Sequence, residues 1–478
     1  MTTPAPMTTP KPGGLRDAPM NPGAVLIRGG TVLSMDPAVG DLRRGDVLVR
    51  DGVVVDVAPR VEAEDAEVID ATGLVVMPGL IDGHRHMWYS PLRGIGMDAT
   101  LVDMMTAFWP RIAAHFTPRD VYVANRASIL EALDNGITTV LDYCHIIHTP
   151  DHAPEAVRPY LELPIRVLFG VTQPAGAADG PGETDGWDVA RNLLRDVIPV
   201  DHPRIRLALA VDGPDVGPWD RTVVDVRAAR ELGLPITMHI AGYADPPRAT
   251  VGRLHEAGLL GADMSFAHCN PTSVEEFALI AEAGARVVIS PQAEMSMGMG
   301  LPPTARMRAA GVPVAVGADA VSSATGDQFD EARAALLTER CTQAVSMIER
   351  GEPVVSAAQL GMTTYEALQA ITVNAARSVW LEDRIGSLTP GKAADIILLR
   401  GDDLNLAPLV NVHQTVVGNA HGGNVDTVLV GGEIVKRNGR LLVDVDRAQA
   451  ARELRETRDR IYGIEFEHAI VPPTGPAE

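Results

Sequence analysis

Eight short apolar runs, at residues 72–77, 138–141, 165–169, 205–211, 235–238, 264–267, 286–289 and 312–316, most constrain what this chain can fold into. Longer stretches with helical spacing separate them. Short strands alternating with helices form parallel β/α units, because a parallel pair needs a crossover long enough to hold a helix. Eight units predict an α/β fold, a (β/α)8 barrel. The helices carry their own punctuation. Thr117-Pro118-Arg119-Asp120 supplies an N-cap, a proline at N1 and an acid at N3. Asn135-Gly136 closes that helix, and Ser273-Val274-Glu275-Glu276 opens another.

In such a barrel the strand C-termini converge on one face, where catalytic groups collect. His84 and His86 follow the first run through Pro78-Gly79-Leu80-Ile81-Asp82-Gly83. Residues two apart in a strand point the same way, so two imidazoles leave side by side, as one metal ion requires of two ligands. Asp142, Cys144 and His145 follow the second run, Asp212 the fourth, His239 the fifth and His268 the sixth. Glu294 lies past the seventh and Asp319 follows the eighth. Taken singly, His239 or His268 reads as structural. Four of 13 histidines in such positions read as a metal site. Lysine sharpens this. Lys11, Lys392 and Lys436 are the whole complement, so none lies between residues 12 and 391. A pair of metals bridged by a modified lysine in that stretch is excluded, and the centre must be built from His and carboxylates.

The two ends have a different texture. Short β runs separated by Gly, Asp and Pro fill residues 24–76 and return after residue 394, which predicts that the ends pair into one small β-sandwich. The expected organisation is a disordered tail at 1–23, sandwich at 24–77, barrel at 78–384, sandwich again at 385–445, then a C-terminal helix and tail at 446–478. With 478 residues, a large domain plus a smaller one is the default expectation. A net charge of −21 argues against a nucleic-acid partner. No run approaches the roughly 18 apolar residues of a membrane span. The N-terminus lacks the basic start and apolar centre of a signal peptide. Cys144, Cys269 and Cys341 show no CxxC spacing, so reduced thiols and a cytoplasmic protein are expected. A small-molecule substrate and a homo-oligomer complete these expectations.

Pro78-Gly79-Leu80-Ile81-Asp82-Gly83-His84-Arg85-His86 resembles the HxH signature of the amidohydrolase superfamily. Ala267-His268-Cys269 and Val316-Gly317-Ala318-Asp319 resemble its strand-six and strand-eight motifs. Asn374-Ala375-Ala376-Arg377, Ile385-Gly386-Ser387-Leu388 and Pro390-Gly391-Lys392-Ala393-Ala394-Asp395 resemble its return to the sandwich. The resemblance covers about residues 24 to 440 and is nearest to the branch of cytosine deaminase, guanine deaminase and triazine hydrolases. It implies one catalytic divalent metal per chain, zinc first with iron or manganese as alternatives, held by His84, His86, His239 and Asp319. His268 would be a further ligand or would orient substrate and water, and Asp319 would be the general base.

Deaminases of this branch carry a Glu three residues after the strand-five His, which protonates the substrate nitrogen. In His239-Ile240-Ala241-Gly242 a glycine stands there. Glu294 is the first candidate to replace that acid and His145 the second. Asp82 and Asp142 read as structural supports. Met295, Met297 and Met299 read as a flexible pocket wall, and Trp88 and Tyr89 as aromatic lining. The expected activity is attack of metal-activated water on a small cyclic or aromatic nitrogen compound, cleaving a C–N bond. The alternatives are a metal-assisted lyase, decarboxylase or cyclase on the same scaffold, and a catalytically retired binding protein.

Overall fold

The computed structural model describes residues 23–172, 185–241 and 249–465. Residues 1–22 of the tail expected at 1–23, Gly242 and the residues after 465 lie outside that set. Eight parallel strands follow one another in chain order: Leu80–Arg85, Ile137–Cys144, Arg166–Val171, Ile205–Val211, Ile236–Ile240, Met264–His268, Arg286–Ile289 and Ala315–Val316. The last strand is two residues long. The barrel therefore closes beyond it, where Asp319 N–H donates to the His84 carbonyl at 2.9 Å and His86 N–H donates to the Asp319 carbonyl at 2.7 Å.

Alternate residues of each strand face inward. Leu141, Leu168, Ala208, Ala210, Val288 and Ala315 form one buried cluster with Ala375 and Ala376 of helix Val373–Ser378. Burying each large aliphatic side chain contributes about 1.5–3 kcal/mol. Small residues let that helix close on the barrel. An added Cβ on Gly386 would lie 2.8 Å from the Ala376 methyl group. Helix Pro118–Asp134 starts as its sequence predicts, with Thr117 and Asp120 forming a reciprocal cap. Ser273 and Glu276 do the same for Val274–Ala283.

Both chain ends build a second, nine-stranded sheet. Its seam joins Leu74–Pro78 to Ile396–Arg400, antiparallel, with Val76 opposite Leu398. Here the structure corrects one expectation. The run at 72–77 belongs to this sheet, and the first barrel strand is Leu80–Arg85. The chain crosses between them at Gly79, where a Cβ would meet Thr138 Oγ1 at 2.3 Å. A buried ion pair ties the two bodies together, Arg166 Nε to Asp395 Oδ2 at 2.7 Å. Helix Arg447–Glu465 lies along Pro118–Asp134, where Glu453 pairs with Arg119 at 2.9 Å and Arg126 at 3.3 Å. Among the described residues, no helix is long and apolar enough to cross a membrane.

Candidate metal centre

His84 ends in the barrel mouth with its Nε2 3.2 Å from Nε2 of His239. Asp319 Oδ1 lies 3.1 Å from His86 Nε2 and 3.5 Å from His84 Nε2. The rings of His84 and His268 are 5.3 Å apart, and those of His239 and His268 are stacked at 5.5 Å. Potential ligand atoms of His84, His86 and His239, and again of His84, His268 and Asp319, all fall within 4.8 Å of one another. Imidazole nitrogens around one carboxylate are a donor set that zinc takes. The residues fit a divalent ion.

His86 and the backbone around the HxH turn are held from behind. The Tyr143 carbonyl lies 2.8 Å from His86 Nδ1. A carbonyl only accepts, so Nδ1 carries the proton and Nε2 keeps its lone pair for an ion. Asp82 Oδ1 accepts from Ala318 N–H at 3.0 Å and His84 N–H at 3.4 Å, bridging the first and last strands, while its Oδ2 lies 3.4 Å from the buried Arg85 guanidinium. Asp142 accepts from Met87 N–H at 3.3 Å and the Tyr160 hydroxyl at 2.8 Å, which fixes the turn after His86. His268 and Asp319 have φ of 73° and 56°. This left-handed backbone costs side-chain-bearing residues about 1–3 kcal/mol each and is concentrated at functional sites.

Burial sets the protonation states. It pulls His84 down to about 4, against the pull of Asp319, and pulls His239 well below the usual histidine range with help from His84 and His86. Neutral imidazole is the form that binds metal. Burial pushes Asp319 up, but the His84, His86 and His268 side chains around it outweigh that and hold the carboxyl well below its ordinary value. His84 and His239 are thus held neutral beside an ionised carboxylate, whereas His268 is raised, the Glu294 hydrogen bond and the Asp319 charge overcoming its burial.

The chain matches the amidohydrolase family over residues 75–435. It belongs to that family. A 5-methylthioadenosine/S-adenosylhomocysteine deaminase of Desulforudis audaxviator is 31% identical over 456 residues, covering 91% of this chain and 99% of the relative. A 5'-deoxyadenosine deaminase of Methanosarcina mazei is 27% identical, covering 90% and 98%. Among solved structures, an adenosine deaminase from Xanthomonas campestris with bound zinc superposes with a TM-score of 0.79 at 25% identity, covering 92% and 99%. An atrazine chlorohydrolase variant from Arthrobacter aurescens, in complex with zinc and atraton, shares the fold, with a TM-score of 0.78 at 22% identity, covering 91% and 100%. The chain is a metal-dependent amidohydrolase-type enzyme acting on non-peptide C–N bonds, the class its motifs imply.

Within this amidohydrolase, the remaining candidates fall at different depths. Glu294 is fully buried behind His268. Its Oε1 lies 3.2 Å from His268 Nδ1 and accepts Ser290 N–H at 2.6 Å, and its Oε2 accepts from Asn270 at 3.3 Å. His145 is half-buried and stacks on His86, with ring centroids 4.0 Å apart. Trp88 is fully buried and donates its indole N–H to His145 Nδ1 at 3.0 Å. Tyr89 is stacked at 5.7 Å on Phe108. Met297 is buried, whereas Met295 is 40% exposed. Cys144 and Asp212 belong to neither ligand set. Trp109, 4.5 Å from the His145 ring, joins this aromatic wall without any sequence signal beyond its type. The Tyr143 carbonyl is missed for a simpler reason: a backbone contact leaves no trace in residue identity.

Proposed function

We propose that this enzyme hydrolytically removes an exocyclic amine from an aromatic nitrogen heterocycle, with 5′-modified adenosines as the first substrates to test. The observation that carries it is the convergence of His84, His86, His239 and Asp319 at the barrel mouth. The aromatic rings of Tyr89 and Trp109 beside His145 and the deaminase relatives support the choice of heterocycle. His84, His86, His239 and Asp319 would hold one zinc ion, with His268 as a further ligand or as a group orienting water. When bound, such an ion supplies Lewis acidity and makes water a competent nucleophile at neutral pH. Asp319 takes one proton from the attacking water and returns it to the leaving nitrogen. Water and the amine thus become a hydroxyl on the ring, or its lactam tautomer, and ammonia.

With both carboxylate oxygens engaged, Glu294 acts by fixing the His268 ring, leaving Nε2 as the nitrogen available to ion or substrate. Glu294→Ala is expected to weaken zinc affinity or turnover roughly 10–100-fold. Glu294→Gln should lose less, because its amide oxygen still accepts from His268. Equal losses in the two variants would make Glu294 a proton donor instead. The proposed reaction is tested with zinc-loaded enzyme and 5′-methylthioadenosine in oxygen-18 water. Ammonia release with label in the product is the expected result. An unlabelled product that does not exchange would favour lyase chemistry, and full activity in metal-free enzyme would sink the proposal.

A further inference from the structure

We infer that His145 is the hydrogen-bond donor to the substrate's heterocycle, through Nε2–H, and that Trp88 fixes the tautomer that makes it so. The inference rests on the aromatic-heterocycle reading above. An indole nitrogen is a donor only. Trp88 Nε1 lies 3.0 Å from His145 Nδ1, so Nδ1 must present its lone pair. An imidazolium has no lone pair to offer, so the ring is neutral and its one proton sits on Nε2. The group that imposes this is rigid. Trp88 has no exposed surface and is boxed by Tyr89, Phe116 and Trp109 at ring distances of 3.9, 5.0 and 5.6 Å.

His145 is also in the right place. Its ring stacks on His86, lies 6.4 Å from His239 and faces Trp109 at 4.5 Å. Among the described residues, no protein atom accepts from Nε2. A half-buried N–H beside reacting groups, with its other nitrogen already committed and no acceptor among the described residues, is placed to bond an incoming acceptor. On an aromatic amine that acceptor is the ring nitrogen next to the carbon under attack. Negative charge grows on this nitrogen as water adds, and a preorganised donor stabilises it there. No proton leaves His145. The proton taken by Asp319 goes to the departing amine, so the balance of the reaction is unchanged. A hydrogen bond to the ring nitrogen meets the need that an acid at position 242 would otherwise meet, which accounts for a hydrolase site with Gly242.

Three variants of the zinc-loaded enzyme test this: His145→Phe keeps the stack and loses the donor, His145→Gln keeps an N–H, and Trp88→Phe keeps a ring and releases the tautomer. With 5′-methylthioadenosine, His145→Phe is expected to lose roughly 10²-fold, mostly in kcat. His145→Gln should recover most of that, with zinc content unchanged in both. Long-range proton–nitrogen spectra of histidine-labelled enzyme should show His145 protonated at Nε2, and a mixed tautomer in Trp88→Phe. An Nδ1–H or imidazolium signature in the wild type overturns the inference, as does turnover in His145→Phe equal to wild type. If the wild type releases no ammonia from 5′-methylthioadenosine, the substrate reading falls, while the nitrogen spectrum still decides the tautomer.

Discussion

Asp319→Asn is expected to lower kcat about 10⁴-fold, the upper range for loss of a positioned proton-transfer group. Among the described residues, the carboxylate is the one anionic group within reach of both His86 and His84 side chains, at 3.1 and 3.5 Å, and those imidazoles help hold it ionised despite its burial. An amide can neither accept the proton of the attacking water nor balance the charge of a divalent ion. The substitution is otherwise gentle. Asparagine has the same shape and tolerates the left-handed backbone of this position, where φ is 56°. The backbone bonds from Asp319 to strand one involve its N–H and carbonyl, which the change leaves intact. Thermal stability of the metal-free protein should therefore match wild type, while zinc retained after dialysis and turnover both fall. Turnover near wild type would remove Asp319 from the chemistry.

Gly317→Ala should destabilise the enzyme by about 3 kcal/mol, the upper range for overpacking a closed site. Its φ is unremarkable, so the constraint is space. A Cβ there would lie 2.4 Å from the His84 nitrogen and 2.5 Å from its carbonyl oxygen. Backbone atoms of a buried strand cannot rotate aside as a side chain does. Accommodating the methyl group means pushing strand eight off strand one at the point where the barrel closes, which also displaces His84. The expected result is a lower urea midpoint together with weaker zinc retention. An unchanged midpoint would mean that the two strands do not meet at Gly317.

Periodicity makes most of the barrel legible, because each inner strand is buried on both sides and reads as an apolar run. It fails where strands do not depend on apolar content. Leu80–Arg85 carries Asp82, His84 and Arg85 through the interior, where Asp82 bonds across the seam to Ala318 N–H and Arg85 bonds to Glu131 at 3.0 Å. An apolar count passes over such a strand and selects Leu74–Pro78 instead. Strand eight is short because the chain leaves the ladder to bring Asp319 back against His84, an event coded by Gly317 rather than by hydropathy. Among the site residues, His84, His86, His239, His268 and Asp319 stand out since histidines at strand ends have few other reasons to recur. Glu294 and His145 can be picked as polar groups at the mouth, but their partners His268 and Trp88 are set by tertiary contact. Only those contacts separate an orienting carboxylate from an acid, or one imidazole tautomer from the other.

The seam between Leu74–Pro78 and Ile396–Arg400 has a consequence for biosynthesis. Val76 waits for a partner made about 320 residues later, roughly 16–64 s at a synthesis rate of 5–20 residues per second. During that interval the barrel can fold vectorially, while Val75, Val76 and Met77, in a strand paired with Ala24–Val32 on one side, keep an unpaired apolar edge on the other. The nascent chain thus carries this open edge from early in synthesis, and the sheet is completed only after the catalytic barrel has emerged.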